Sequence, residues 1–377
     1  MMYPNYDRSI LSTTSSILNH YGSGSVYPTL PELDALLATD PKHVALIITD
    51  GAGVKPLEQA LPADSWMRSH VGATVTSIFP STTTAATTSY YNGQSAYEHG
   101  WLGWELYFKE YATDITTFMR TTFYTKKSVD GPHAASTLMP FESVFEKIRK
   151  ASPDVVTRTH YAFDSYDEHG AHEKIRVSSF HDICESLARI SRSNERTFTL
   201  SYWNQPDGNM HHYGVGSPEA IEQFQLIDQE LKALSTRLKD TLLIVTADHG
   251  LINSQAVDIT EMRDLMDCLI MPPMVEARAA AFYVKPHRRG EFEHIFREKL
   301  GQWFLLLSRE DVYRTGIFGR GQASPKFDDF IGDYIACATT DRHIAFKVPG
   351  APEGDMIGAH AGLTEDEMLV PVILDRK

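Results

Sequence analysis

Four short apolar runs, each stopping at a polar cluster, limit what this chain can fold into. HVALIIT (His43–Thr49) runs into Asp50-Gly51-Ala52-Gly53, and GATVTSI (Gly72–Ile78) into Phe79-Pro80-Ser81-Thr82-Thr83. TFTLSYW (Thr197–Trp203) ends at Asn204-Gln205-Pro206-Asp207, and TLLIVT (Thr241–Thr246) at Ala247-Asp248-His249-Gly250. Apolar runs of this length with little alternation suit strands buried on both faces. Helical patterns separate them. The clearest spans Pro218 to Leu238, with proline in its first turn and Ile221, Phe224, Ile227, Leu231 and Leu234 on one stripe. Strands alternating with helices predict a largely parallel sheet covered on both faces. Such sheets bind ligands beyond the carboxyl ends of their strands, where the polar clusters fall.

The remaining segments fit around that core. Tyr6 to His20 reads as an amphipathic helix, followed by a Gly/Pro/Ser connector. From about Ile259 to Arg342 the pattern changes to a strand (Ala279–Lys285), a helix (Glu291–Leu300) and a strand (Trp303–Leu307) without comparable polar ends. We read 259–342 as an inserted α+β subdomain, with 1–258 and 343–377 forming the catalytic core. At 377 residues, one large domain with an insertion fits as well as two domains. The formal charge of −14 opposes nucleic-acid backbones and anionic membranes at long range, so an anionic substrate needs local attraction, which bound cations could provide. Cys184, Cys268 and Cys337 form no CxxC pair and suit a reducing compartment. No apolar run approaches bilayer length and no leader pattern opens the chain, so a cytoplasmic protein is expected.

Carboxylates and imidazoles dominate the strand ends and their partners: Asp50, Asp207, His211, Asp248, His249 and His360. Taken singly, each has an ordinary explanation. Asp50 could cap a turn, Asp207 and His211 could sit on a solvated loop, and a lone histidine such as His360 is usually structural. Together, at the ends of adjacent strands, they match what two cations about 4 Å apart require. The tract FPSTTTAATTS can open a helix, whose first N–H groups favour an anion. A hydroxyl there, made more acidic by a cation, is a nucleophile candidate, and the spacing does not choose among Ser81, Thr82, Thr83 and Thr84.

In IITDGAG, FPSTTTAATTSYYNGQSAYEHGWLGW, YWNQPDGNMHHYG, TADHG and GAHAGLTEDEMLVPVI, in that order, the chain resembles the alkaline phosphatase superfamily, in its nucleotide pyrophosphatase/phosphodiesterase branch. The resemblance implies an α/β, alkaline-phosphatase-like three-layer sandwich with a central, mostly parallel sheet and a small inserted α+β subdomain. It places the nucleophile on Thr83, with Gly93 ten residues on. It implies one cation held by Asp50, Asp248 and His249, and another by Asp207, His211 and His360. Both would be zinc, with manganese as the alternative. The implied reaction is cleavage of a phosphodiester or nucleotide pyrophosphate bond in a small substrate through a phosphothreonine. Thr84, Trp104 and Tyr213 are the candidate substrate contacts. There is one departure: where family phosphodiesterases often carry an asparagine that contacts a phosphoryl oxygen, HGWLG is followed by Trp104. That substitution keeps open a phosphomonoesterase or phosphonate hydrolase using the same metals. A catalytically silent metal-binding protein on the same scaffold is opposed by the presence of both Thr83 and the full ligand set.

Three other groups are assigned ordinary roles. His160, Asp164, Asp167, His169 and His172 lack regular ligand spacing and read as a polar loop. Lys285, Arg288 and Arg289 read as an exposed turn, and Trp101, Trp104, Tyr107 and Phe108 as packing beneath a loop.

Overall fold

In the computed structural model, which describes residues 1–122, 125–129, 134–162, 170–347 and 356–377, the four apolar runs lie in one seven-stranded sheet. Its order is Val71–Thr76, Leu369–Arg376, Thr241–Thr246, His43–Thr49, Arg196–Trp203, Val155–Tyr161 and Glu173–Arg176. The pairs from Thr241–Thr246 through Glu173–Arg176 are all parallel, and Leu369–Arg376 runs antiparallel to both its neighbours. His43–Thr49 is buried along its whole length and lies at the sheet's centre. Helices Ile10–His20, Pro31–Leu37, Thr83–Asn92 and Val144–Ala151 pack together on one side of the sheet. Helices Val54–Ala60, Trp66–Ser69, Phe180–Ile190 and Pro218–Ser235 form the other layer. This is the expected three-layer α/β sandwich.

Ile10–His20 differs in character from the expected amphipathic helix. Ser9 caps it, and residues 9 to 18 are buried all round. Its hydroxyl-bearing positions, Ser12, Thr13, Ser15 and Ser16, are small enough to let neighbouring helices approach closely.

A second, antiparallel sheet has the order Phe304–Ser308, Tyr334–Ala338, Ala279–Phe282, Met274–Glu276, Glu105–Phe108 and Thr113–Thr116. The segment 259–342 supplies the first four strands. The last two come from residues just after the threonine tract, so the second sheet extends beyond the insertion. A separate small core, including Phe282, Phe292, Phe296 and Phe304, packs beneath it. No described helix is long and apolar enough to cross a membrane.

Asp164, Asp167 and His169 lie outside the described residues. The other two members of that group are held by the core sheet. His160 is buried and bonds Ser201 and Ser186 (2.7 and 2.8 Å), while His172 Nδ1 accepts the Thr157 amide at 3.1 Å. Arg288 and Arg289 pair with Glu291 and Asp333, and Lys285 Nζ donates to the Asp267 carbonyl, so all three are engaged within the insertion. Trp101 and Phe108 are buried, and the Trp101 indole donates to the Met139 carbonyl.

Candidate active site

The register of the parallel strands explains how distant residues meet. Thr49 lies opposite Trp203, and Ile48 opposite Thr246, so Asp50, the Asn204–Asp207 turn and Asp248 emerge at one level. The Asp50 amide donates to Trp203 (2.9 Å), and the Asp207 amide donates to Asp50 (3.1 Å). The turn after His43–Thr49 packs backbone to backbone on the turn after Thr241–Thr246. A Cβ on Gly53 would lie 2.5 Å from Gly250 Cα, so glycine is required there. His360 arrives from the carboxyl-terminal segment. Gly358–Ala359 pairs with Ile252–Asn253, just beyond Asp248-His249-Gly250.

Thr83 is the first residue of the Thr83–Asn92 helix. Thr82 precedes it in an extended conformation, and the first helical bond runs from the Ala86 amide to the Thr82 carbonyl. No side chain caps this end, because the Thr82 hydroxyl is drawn to Glu276 instead. Its first amides are therefore oriented toward a site for an anion. The Thr83 hydroxyl lies 3.4 Å from both Asp50 carboxylate oxygens and 3.2 Å from His249 Nε2.

Around it the acid and imidazole groups converge. His249 Nε2 is 3.4 Å from Asp50 and 3.6 Å from Asp248. His211 Nε2 is 3.3 Å from Asp207, His360 Nε2 is 3.9 Å from Asp207, and the His249 and His360 rings stack at 3.8 Å. All six expected ligand residues thus come together beside Thr83. Two three-residue groups have donor atoms close enough for one ion: Asp50, Asp248 and His249, and Asp207, His249 and His360. His249 belongs to both groups. His211 approaches the second group through Asp207.

Two observations fit bound cations. Asp207 Oδ1 and Asp248 Oδ2 are buried without a hydrogen-bond partner, a costly state for a carboxylate that coordination would relieve. Each histidine also donates its Nδ1–H to a carbonyl: His249 to Gly250 (3.1 Å), His211 to Gly358 (2.7 Å) and His360 to Ser81 (3.1 Å). That orients each ring so that Nε2 faces inward, as metal-ligating histidines require.

Titration reflects the crowding. Burial, reinforced by the charges of Asp207 and Asp248, holds the Asp50 carboxyl well above its ordinary value. Burial also raises Asp248 and pushes His360 well down. Burial alone would lower His211, but the adjacent Asp207 outweighs it and lifts the imidazole to about 9. A carboxyl raised above its unfolded value costs stability as pH rises past the unfolded pKa, and that cost grows until the folded pKa is passed. Metal-free Asp50→Asn is therefore expected to melt above metal-free wild type at pH 8, by several degrees. With zinc added the order should reverse, because the variant loses a ligand. Paired thermal scans with chelator and with zinc test this, and a metal-free variant melting below wild type would contradict it.

The substrate-contact candidates are placed differently from one another. The Thr84 side chain, one residue into the helix, is fully buried with its hydroxyl unpartnered. Trp104 donates its backbone N–H to Glu276 at 2.7 Å, and its ring lies against Phe118 at 5.7 Å. Tyr213 is 54% exposed at the end of the Asp207–Tyr213 helix, two residues beyond His211. Two site neighbours escaped sequence reasoning. The Tyr202 hydroxyl donates to Asp50 Oδ2, orienting it. Glu276, from the second sheet, reaches the residue before Thr83. Spacing alone carries no signal for either.

A doubly covered, mostly parallel sheet that gathers a threonine, three aspartates and three histidines at its carboxyl edge is the architecture of the alkaline phosphatase superfamily. Within it, the chain belongs to the type I phosphodiesterase/nucleotide pyrophosphatase family, whose sequence profile it matches over residues 44–361. Among solved structures it is similar to human ectonucleotide pyrophosphatase/phosphodiesterase 5, with 18% identity, TM-score 0.66 and 87% of each chain covered. The inactive murine form of that protein in complex with AMP aligns at 16% identity and TM-score 0.64, again covering 87% of each chain. Phosphonoacetate hydrolase from Sinorhizobium meliloti 1021, in complex with phosphonoformate, aligns at 18% identity and TM-score 0.62, covering 89% of this chain and 90% of that one. No protein in the curated set matches.

Proposed function

We propose that this protein hydrolyses phosphodiester or nucleotide pyrophosphate bonds of small molecules, with Thr83 as nucleophile. The observation that carries the reading is the Thr83 hydroxyl within 3.4 Å of Asp50 and 3.2 Å of His249, at an uncapped helix N-terminus. Asp50, Asp248 and His249 would hold one divalent cation, and Asp207, His211 and His360 a second. Shared imidazole and carboxylate donors suit zinc, with manganese as the alternative. When bound, such ions supply Lewis acidity at the attacking and leaving oxygens.

The chain's own groups do the rest. Thr83 Oγ1 attacks phosphorus in line as its proton is lost to water. The bond from phosphorus to the leaving oxygen breaks, and the departing group takes a proton from water. The amides of Thr83 and Thr84 support a non-bridging oxygen. Water then attacks phosphorus, the Oγ1–P bond breaks, and Thr83 is regenerated. Tyr202 holds Asp50 in place, and the three backbone carbonyls hold the imidazoles.

A second reading, phosphonate hydrolysis on the same site, is favoured by Trp104 standing in place of the family asparagine and by the phosphonoacetate hydrolase likeness. Zinc-loaded protein assayed on bis-p-nitrophenyl phosphate, a dinucleoside pyrophosphate, p-nitrophenyl phosphate and phosphonoacetate separates them. The diester and pyrophosphate are expected to turn over at least about tenfold faster than the other two, since the pocket offers no Lys or Arg partner to its three carboxylates among the described residues. Phosphate release from phosphonoacetate alone would overturn the diester reading.

A further inference from the structure

Met274–Glu276 lies inside the second sheet, between Ala279–Phe282 and Glu105–Phe108, and its last side chain reaches the segment that precedes Thr83. Glu276 Oε1 accepts the Thr82 hydroxyl at 2.6 Å and the Trp104 amide at 2.7 Å. One carboxylate oxygen thus ties the residue before the nucleophile to the loop that follows the Thr83–Asn92 helix. The charge of Glu276 is felt by both His211 and Asp207, which places it toward the second ligand group rather than away from it.

From this geometry we propose that Glu276 is a specificity-determining residue: a fixed negative charge beside the phosphoryl pocket that disfavours dianionic phosphate monoesters relative to monoanionic diesters. The proposal rests on the phosphoesterase reading above. A monoester presents one more negative charge than a diester, and that charge must lie near the helix end that Glu276 braces. In a partly desolvated site, like charges a few ångströms apart repel strongly. Burial lifts the free carboxyl to about 7, against the two hydrogen bonds that favour its charged form. With a pKa of about 7 its charge is fully developed above about pH 8, where the two esters are to be compared.

Glu276→Gln separates charge from position, because the amide oxygen still accepts from Thr82 and Trp104. In zinc-loaded protein, E276Q is expected to raise kcat/KM for p-nitrophenyl phosphate relative to bis-p-nitrophenyl phosphate by about tenfold or more. It should also tighten calorimetric binding of inorganic phosphate by a similar factor. Glu276→Ala, which also removes the brace, should make the same shift in ratio while lowering kcat for both esters. An unchanged ratio together with unchanged phosphate affinity in E276Q overturns the proposal, as does an equal fall in both rates. If wild type turns over neither ester, the phosphoesterase reading fails. Tighter phosphate binding by E276Q would then still support the charge filter, and unchanged binding would sink it too.

Discussion

Thr83→Ala is expected to lower turnover of a diester by roughly 10⁴-fold or more while both cations stay bound. The magnitude follows from the role: removing a nucleophile leaves only positioning and electrostatic stabilisation of a direct attack by water. The retention of metal follows from the geometry. Five of the six carboxylate and imidazole groups are held by contacts that do not involve Thr83, with Asp50 fixed by Tyr202, Asp248 by the amides of Gly51 and His249, and the histidines by three carbonyls. Thr83 begins its helix without capping it, so its loss should cost no more than about 1 kcal/mol of stability. Thr83→Ser keeps the hydroxyl and should recover a measurable part of the rate. Initial rates with elemental analysis on the same preparation decide the matter. An alanine variant within tenfold of wild type would remove Thr83 from the mechanism, and one that sheds metal would make it a ligand before a nucleophile.

Much of this site was legible because its ligands follow uninterrupted apolar strands. His43–Thr49 and Thr241–Thr246 fall where the apolar runs place them, since a strand buried on both faces leaves little ambiguity about its ends. Val155–Tyr161 escaped notice because Arg158 interrupts it. That arginine is tolerated only because Glu173 and Glu195, distant in sequence, each lie 2.6 Å from it. Leu369–Arg376 carries Pro371 mid-strand, which argues against a central position, yet it sits between two neighbours in the sheet. Glu105–Phe108 and Thr113–Thr116 are four-residue strands that pair with each other, and they join the second sheet only where Glu105 lies opposite Val275, far along the chain. Tyr202 and Glu276 act through single long-range hydrogen bonds, which no local pattern encodes.

Arg278→Leu is expected to destabilise the fold by about 3–5 kcal/mol and to weaken one of the two proposed cation sites. Arg278 is fully buried and forms a two-pronged pair with Glu367, at 2.6 and 2.7 Å. It also donates to the carbonyls of Thr340 (2.8 Å) and Arg342 (2.6 Å). Glu367 in turn accepts the Gly362 amide at 2.7 Å and the Thr364 hydroxyl at 2.5 Å. The pair therefore staples the loop bearing His360 to the second sheet, and the same loop meets the nucleophile segment through Ser81 Oγ, which donates to the Gly362 carbonyl at 3.0 Å. Losing the guanidinium strands a buried carboxylate and two partly buried carbonyls, with the unpaired carboxylate carrying most of the penalty. Adding Glu367→Leu should recover only part of the loss. It removes the unpaired charge but leaves the Gly362 amide and the two carbonyls without partners. If the staple matters to the site as well as to the fold, Arg278→Leu held well below its melting temperature should bind close to one zinc per chain rather than two. The ion retained should be the one held by Asp50, Asp248 and His249, whose turn meets Glu367 only through the Gly250 amide bond to its backbone carbonyl (2.9 Å), a contact that does not depend on the guanidinium. Full zinc stoichiometry, or a melting temperature within about 2 °C of wild type, would mean that the loop holds its place without the buried pair.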